Sequence, residues 1–255
     1  MPTTRVDVAA LLRFQRFTKV PQAKLRRLAT AMSVRRFERR APIYVRSQPS
    51  SNLYILLAGA AKLSGLNKEG RLVLTTLVSP GDAFGVSALT PETVHRFQCD
   101  AFTDCVVASI EAQQFVEIML GAALTDFQIV MDMLVSPLEE LVTRYLLMLR
   151  LPVKDRLITA FAELGSKFGA RHEQGILLDL PLTHRDLADL VGATRPIITQ
   201  HLGDLERDGA IVRERRQLIL VPDRLSGEGA IDPPAEVFVP FAARDGIGAN
   251  AMATN

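Results

Sequence analysis

The sequence predicts an α+β protein made of a β-roll, a long helix and a winged helix-turn-helix. Three observations predict it. Short β-type runs broken by turn residues occupy the stretch from Val34 to Ile110. An apolar heptad then runs from Phe127 to Met148. Beyond it, two amphipathic helices within 184–210 meet at Gly192, and an alternating basic and apolar segment follows.

Composition sets the frame. The chain has 255 residues, 48% of them hydrophobic, which supplies core for two modest domains or one large one. A formal net charge of +2 excludes a polybasic protein that holds nucleic acid by charge alone. Positive charge is nevertheless uneven: residues 1–50 carry Arg5, Arg13, Arg16, Lys19, Lys24, Arg26, Arg27, Arg35, Arg36, Arg39, Arg40 and Arg46 against Asp7 and Glu38. Such a cluster suits an anionic partner and equally suits a solvated face. The two cysteines, Cys99 and Cys105, match no zinc or iron–sulfur spacing, so no metal is expected. They read as packed thiols of a reducing compartment. The polar, basic N-terminus lacks the apolar run of a signal peptide. No apolar stretch approaches the roughly 20 residues of a membrane span. A soluble cytoplasmic protein with no membrane contact is expected.

Residues 6–33 read as helical, with Val8, Leu11, Leu12, Phe14 and Phe17, then Leu25, Leu28, Ala29 and Met32, at helical spacing and Pro21 between the pieces. From Val34 the pattern changes to Ile43–Val45, Leu53–Leu57, Leu72–Leu77 and Val106–Ile110, punctuated by Gly59, Gly65, Gly70 and Pro80-Gly81. Asn67-Lys68-Glu69-Gly70 is a hairpin signal. Such strands favour a closed roll over a parallel sheet. Glu111–Leu120 is a short helix closed by Gly121. A longer helix follows, from about Thr125 to Arg150. In it Phe127, Met131, Leu134, Leu138, Leu141, Tyr145 and Met148 alternate spacings of four and three, a seam suited to pairing with an identical helix. Pro137 lies inside it and predicts a kink there or a break near Ser136. Leu151-Pro152 marks the next boundary. Residues 153–170 follow as a helix, Ile176–Leu180 as a strand, 184–210 as two helices and Val212–Val221 as a wing. The organisation is therefore 1–121 for the N-terminal helices and β-roll and 122–151 for the long helix. The winged helix-turn-helix takes 152–224 and a Gly-, Ala- and Pro-rich tail takes 225–255, in which Glu236–Phe241 is the one segment apolar enough to dock.

The chemistry concentrates in residues 182–202. Thr183 caps the first helix and Asp186 completes a capping-box pair. Leu187, Ala188 and Val191 give its buried face, and Gly192 supplies a left-handed turn. Thr194 caps the second helix, with Arg195 and Pro196 in a first turn that tolerates proline. Ile197, Ile198, Leu202 and Leu205 form its inward face and leave Arg195, Thr199, Gln200 and His201 outward. Arginine reads guanine O6/N7 and glutamine reads adenine N6/N7. Thr183, His184, Arg185 and Thr194 are placed for phosphates, which set position rather than sequence. Arg213, Arg215 and Arg216 on the wing add to them. The expected partner is double-stranded DNA with a two-fold symmetric site, bound by a homodimer.

Three segments give the chain a family likeness: Tyr54–Leu63 leading to Pro80-Gly81-Asp82-Ala83-Phe84-Gly85, Ala101-Phe102-Thr103-Asp104-Cys105 with Ile110, and the helix-turn-helix. Over roughly residues 10–222 it resembles the CRP/FNR family, the cyclic-AMP receptor and fumarate–nitrate regulator type. The resemblance implies a cyclic-nucleotide-binding-type β-roll, a dimerisation helix, RNA polymerase as a partner, and an effector between roll and helix that reorients the DNA-binding domains. On that likeness the effector pocket comprises Phe84, Gly85, Val86, Ser87, His95, Arg96, Leu138, Leu141 and Val142. Where cyclic-AMP binders carry a ribose-binding glutamate this chain has Val86, and His95-Arg96 aligns with their phosphate-gripping Arg-Ser pair. Cyclic AMP in the usual mode is thus not expected. Phe84-Gly85-Val86 with Arg96-Phe97 is more similar to the nitrogen-control branch, which implies 2-oxoglutarate or a nucleotide as effector, although Pro137 stands where that branch has an arginine. An effector-independent member, and a haem-based gas sensor using His95, stay open. So does a β-roll regulatory subunit with no DNA role. Pro196 replaces a common glutamate, so the half-site should lose a cytosine preference. Catalysis would have to be assembled from His95, Cys99 and Asp100, or from His172 and Glu173. Neither set puts a nucleophile beside a base, and no catalytic residue is assigned.

Overall fold

The computed structural model describes residues 4–90, 94–121, 123–214 and 217–225. The chain packs as two compact units that divide between residues 141 and 142.

The first unit carries three short helices near its start, α1 (Val8–Leu12), α2 (Gln15–Thr18) and α3 (Gln22–Ala31). Asp7 caps α1 by accepting from the Ala9 amide, and Pro21 stands at the N-cap of α3. Its strands are β1 (Thr4–Arg5), β2 (Ser33–Phe37), β3 (Pro42–Tyr44), β4 (Asn52–Ala58), β5 (Ala61–Leu66), β6 (Leu72–Val78), β7 (Ala83–Phe84), β8 (Gln98–Ala101) and β9 (Cys105–Glu111). They form two sheets, ordered β1-β2-β9-β4-β7 and β3-β8-β5-β6. Strand β4 explains the architecture. Alternate side chains point to opposite faces, and here both faces are dry. Leu53, Ile55 and Leu57 join Leu25, Leu28, Phe115 and Met119 in a core under the helices. Leu56 joins Phe37, Tyr44, Cys99 and Val107 inside the roll. A strand buried twice reads as a near-continuous apolar run, which is how Leu53–Leu57 reads. The turn from β4 to β5 needs Gly59: its φ is +89°, and a Cβ there would stand 2.2 Å from the Asp104 carbonyl.

Helix α4 (Ala112–Met119) leads to α5 (Leu124–Arg150). The joint between them is pinned by Lys24 of α3. Its Nζ donates to the Met119 carbonyl at 2.6 Å and pairs with Asp126 Oδ1 at 2.6 Å. Helix α5 runs unbroken through residue 137, so the predicted break near Ser136 does not occur. Proline withholds one ladder bond, and the remaining turns of a 27-residue helix carry the chain past it. The first half of α5 belongs to the β-roll unit, where Val130 and Met133 are buried in its core.

The second unit contains α6 (Val153–Phe168), β10 (Ala170–His172), β11 (Gly175–Leu178), α7 (His184–Val191), α8 (Arg195–Arg207), β12 (Ile211–Glu214) and β13 (Gln217–Leu220). Its sheet is ordered β10-β11-β13-β12 with antiparallel neighbours. Strand β10 was not anticipated. Three residues with no alternation give no period to read, and the strand exists because it pairs with β11. Leu157, Phe161, Leu187, Ile198, Leu202 and Ile219 are all buried in this unit. Arg144, on the second half of α5, meets Glu163 of α6 at 2.5 Å, and Lys167 meets the same carboxylate at 3.1 Å. Burial alone would raise the Glu163 pKa, but Lys167 and Arg144 outweigh it and hold the carboxyl below its ordinary value. Among the described residues no helix is long and apolar enough to cross a membrane.

Lys24→Met should leave Asp126 buried without its cation and destabilise the protein by about 3–5 kcal/mol. The double variant Lys24→Met/Asp126→Leu should recover most of that loss in equilibrium denaturation.

Candidate nucleic-acid interface and effector region

Helix α7 begins at a complete capping box. Thr183 Oγ1 accepts from the Asp186 amide at 3.1 Å, and Asp186 Oδ2 accepts from the Thr183 amide at 3.0 Å and from its hydroxyl at 2.5 Å. The helix ends on Gly192 at φ +63°. Its last carbonyls are taken by Arg156 of α6, whose Nη1 donates to Val191 at 2.8 Å and reaches Gly192 at 3.5 Å. Reading the sequence missed Arg156, because its partner lies 35 positions on and no local spacing joins them.

Helix α8 starts after Thr194, which occupies the N-cap but makes no side-chain capping bond. The expected cap is therefore positional. Of the predicted inward face, Ile198, Leu202 and Leu205 are buried, whereas Ile197 is 38% exposed. Spacings of four and three define one stripe on a helix, and Ile197 lies one residue, about 100°, off it. Thr183, Arg185, Thr194, Arg195, Thr199 and Gln200 are exposed, while His184 and His201 are half-buried. Arg195 and Gln200 make no hydrogen bond or ion pair through their side chains among the described residues. Thr199 does: its Oγ1 donates to the Arg195 carbonyl at 3.0 Å and lies 2.8 Å from His184 Nδ1. That hydroxyl is thus spoken for within the motif rather than free to read a base. On the wing, Arg213 Nε donates to Glu206 Oε1 at 2.9 Å. Arg215 and Arg216 lie outside the described residues, as does the tail from 226 onward.

Charge is graded along α8. At its C-terminal end Asp204 pairs with Arg207 and stands 3.5 Å from His201, and Glu206 pairs with Arg213. At its N-terminal end Arg195, with His184 and Arg185 beside it on α7, has no carboxylate partner among the described residues. Burial lowers the His184 pKa from its ordinary value, Arg213 and Arg195 lower it further, and Glu206 opposes them.

The predicted effector residues gather only in part. Phe84 is buried at the end of β7. Gly85 turns at φ +76°, and Val86, at 44% exposure, and Ser87 continue in a 3₁₀ turn. His95 is 3% exposed and stacks flat on Tyr44, ring centroids 3.8 Å apart, in a cluster with Tyr54 and Phe84. Arg96 is exposed. Leu138, Leu141 and Val142 are likewise exposed on α5. Tyr44 and Tyr54 were not foreseen, since they sit in strands read only as apolar runs. The residues considered for catalysis fare no better. Burial pushes the Cys99 thiol far up, and it raises Cys105 to about 11, so neither is a ready nucleophile. Both are free and buried. His172 Nδ1 accepts from the Gln174 amide within a hairpin. Among the described residues no group of three or more His, Cys, Asp or Glu is arranged to hold a metal.

Of the predicted seam on α5, Phe127, Leu138, Leu141 and Tyr145 are exposed and the other three residues are partly covered. Met131 and Leu134 pack partly against the β-roll core, and Met148 Sδ lies 3.6 Å from the Cβ position of Gly192. The face left open consists of Leu124, Phe127, Val135, Leu138, Leu141, Val142, Tyr145, Leu146 and Leu149, each at least 41% exposed.

Comparison with known proteins agrees with this geometry. Residues 142–226 match the Crp-like helix-turn-helix domain, and residues 34–121 match the cyclic nucleotide-binding domain. The chain is 30% identical over 190 residues to the global nitrogen regulator of Nostoc sp., covering 72% of this chain and 83% of that protein. It is 29% identical over 201 residues to the global nitrogen regulator of Synechococcus elongatus, covering 76% and 89%. A crystal structure of a CRP-family transcriptional regulator from Thermus thermophilus superposes with a TM-score of 0.66 at 25% identity, covering 79% of this chain and 100% of that one.

Asp186→Ala removes the carboxylate half of the capping box, leaving the residue-186 amide to donate to Thr183 Oγ1, and should cost about 1 kcal/mol in denaturant unfolding. An unchanged midpoint would mean that this half of the box contributes nothing to α7.

Proposed function

The chain belongs to the CRP/FNR family of transcription regulators, and from that membership we propose that it is a homodimer that reads a two-fold symmetric DNA site with the N-terminal half of α8. It is a transcription regulator with a DNA-binding helix-turn-helix. The observation that carries the finer reading is the open polar face of α8. Arg195 and Gln200 are exposed and uncommitted on a helix whose opposite side is fixed by Ile198, Leu202 and Leu205. Thr183, His184, Arg185 and Thr194 flank that face as phosphate ligands, with Arg213 and Arg215 from the wing. Pro196 offers no acceptor to cytosine N4, so the half-site keeps the guanine read by Arg195 without a cytosine preference beside it.

Dimerisation is supported by the exposed apolar face of α5. Leaving this many large apolar side chains in water is unfavourable, at roughly 1.5–3 kcal/mol for each that a partner helix would bury. An identical helix is the natural cover. Two copies of α8 then fall about 34 Å apart, one turn of the duplex. The protein works in the cytoplasm, acts by binding rather than catalysis, and has RNA polymerase as its downstream partner.

Regulation by a small effector is a second reading, favoured by one observation. His95 Nδ1 and Ser50 Oγ are buried without a hydrogen-bond partner. The strand segments that carry them are neighbours, for His95 exchanges backbone bonds with Ser47 and Gln48 and Val94 bridges Pro49. Buried polar atoms left unpaired are costly, which suits a polar ligand such as 2-oxoglutarate or a nucleotide. A thermal-shift screen with 2-oxoglutarate, cyclic mononucleotides and cyclic dinucleotides tests it. One selective rise in Tm is expected, and a flat response favours an effector-independent regulator.

Random-site selection followed by gel shift should return a symmetric motif. Arg195→Ala should cost about 1–3 kcal/mol per half-site and relax one base position; equal losses on all sequences would contradict base reading. Leu138→Glu should dissociate the dimer, and an unaltered sedimentation coefficient would refute the α5 interface.

A further inference from the structure

We propose that His184 takes up a proton as the helix-turn-helix closes on DNA, so that affinity for a duplex rises as the pH falls. The inference rests on the reading that α7 and α8 face DNA, and it adds a chemical state to that face.

The argument begins with one hydroxyl. Thr199 Oγ1 has a single proton and two neighbours, the Arg195 carbonyl at 3.0 Å and His184 Nδ1 at 2.8 Å. A carbonyl can only accept, so the hydroxyl proton goes to Arg195. The oxygen is left to accept, and His184 must donate from Nδ1–H. The tautomer of the neutral ring follows: the proton sits on Nδ1 and the lone pair sits on Nε2. Nε2 makes no hydrogen bond among the described residues. In this state the ring offers an acceptor outward, which repels a phosphate oxygen.

Protonation changes only the outward nitrogen. The bond to Thr199 uses Nδ1–H in both charge states, so it survives, and Nε2–H becomes a charged donor suited to a phosphate. The groups around the ring set the free state. Arg195 and Glu206 face it from α8 and Arg213 faces it from β12. On its own helix lie Arg185 and Asp186, the latter bonded to Thr183. With burial, the two arginines named by that field depress the pKa below its ordinary value, so near neutral pH the free protein carries His184 uncharged. A phosphodiester brought against Nε2 reverses the field and raises the pKa.

The sign follows from linkage. Above both pKa values no proton moves and affinity is flat. Between the depressed free value and the raised bound value, binding consumes a proton, and affinity climbs as pH falls by up to about tenfold per pH unit for each subunit. Below the free value the curve levels again. His201, 3.5 Å from Asp204 on α8, is the control histidine for the test.

The test uses the full-length protein and a fluorescent duplex recovered by random-site selection, titrated at fixed salt from about pH 8 to about pH 5.5. The wild type should bind progressively tighter toward low pH. His184→Gln should lose that dependence and His201→Gln should keep it. NMR titration of the wild-type histidine rings, four in the chain, should show the His184 pKa rising when the duplex is added. This readout stands even if the glutamine variant fails to fold. A full pH dependence retained in His184→Gln, or an unmoved His184 pKa, overturns the proposal. Binding that is tight but flat with pH overturns the proton coupling alone. No duplex binding at any pH overturns the DNA-facing reading with it.

Discussion

The functional reading depends on one geometric constraint, the fixed angle between α7 and α8. Two short helices can display a reading face only if neither rotates. Three interactions of different kinds prevent rotation. Gly192 takes the left-handed turn that a side chain would strain. Arg156, reaching in from α6, satisfies carbonyls that the end of α7 leaves without partners. Ile198, Leu202 and Leu205 lock the inner stripe of α8 into the core. The His184–Thr199 contact adds a fourth tie across the outer side. Only then does the exposure of Arg195 and Gln200 carry information, because an exposed residue on a loose helix would have no defined direction.

The same logic explains why only part of the stripe that a heptad count selects on α5 is left exposed. A periodic stripe says which residues share a side, but three surfaces compete for that side. The β-roll core draws Met131 and Leu134, and the turn at Gly192 draws Met148. What remains exposed keeps Phe127, Leu138, Leu141 and Tyr145 of that stripe and broadens it with Val135, Val142 and Leu149. Val135, Leu138, Val142, Tyr145 and Leu149 keep spacings of three and four, the property that suits pairing.

Much of the fold was legible because it is governed by local chemistry. The Thr183–Asp186 box, the glycine turn and the period-two runs each have a cause within a few residues, and the structure shows all of them. The misreadings share a different cause. Strand β10 exists only through its partner, Arg156 acts 35 positions from its target, and Ile197 counted as inward because apolar character was taken for burial. The effector region was least legible of all. The aromatic cluster of Tyr44, Tyr54, Phe84 and His95 is assembled from four separate segments. No spacing rule joins residues brought together by two sheets.

A net charge of +2 leaves little for a polyanion to attract, and the grading along α8 sharpens that point. Asp204 and Glu206 cancel the cations at the C-terminal end, which leaves Arg185 and Arg195 as the uncompensated charge at the N-terminal end among the described residues. Few phosphate contacts per subunit mean weak binding of one half-site at physiological salt. The remedy lies in geometry rather than charge. In the proposed homodimer, joining two half-site readers would make the second contact intramolecular, at an effective concentration far above that of free protein. Sequence discrimination then gains as well, since a nonspecific site supplies the phosphates but not both sets of base contacts. On the proposed dimer of so nearly neutral a chain, the apolar face of α5 would therefore be as much a part of DNA recognition as α8.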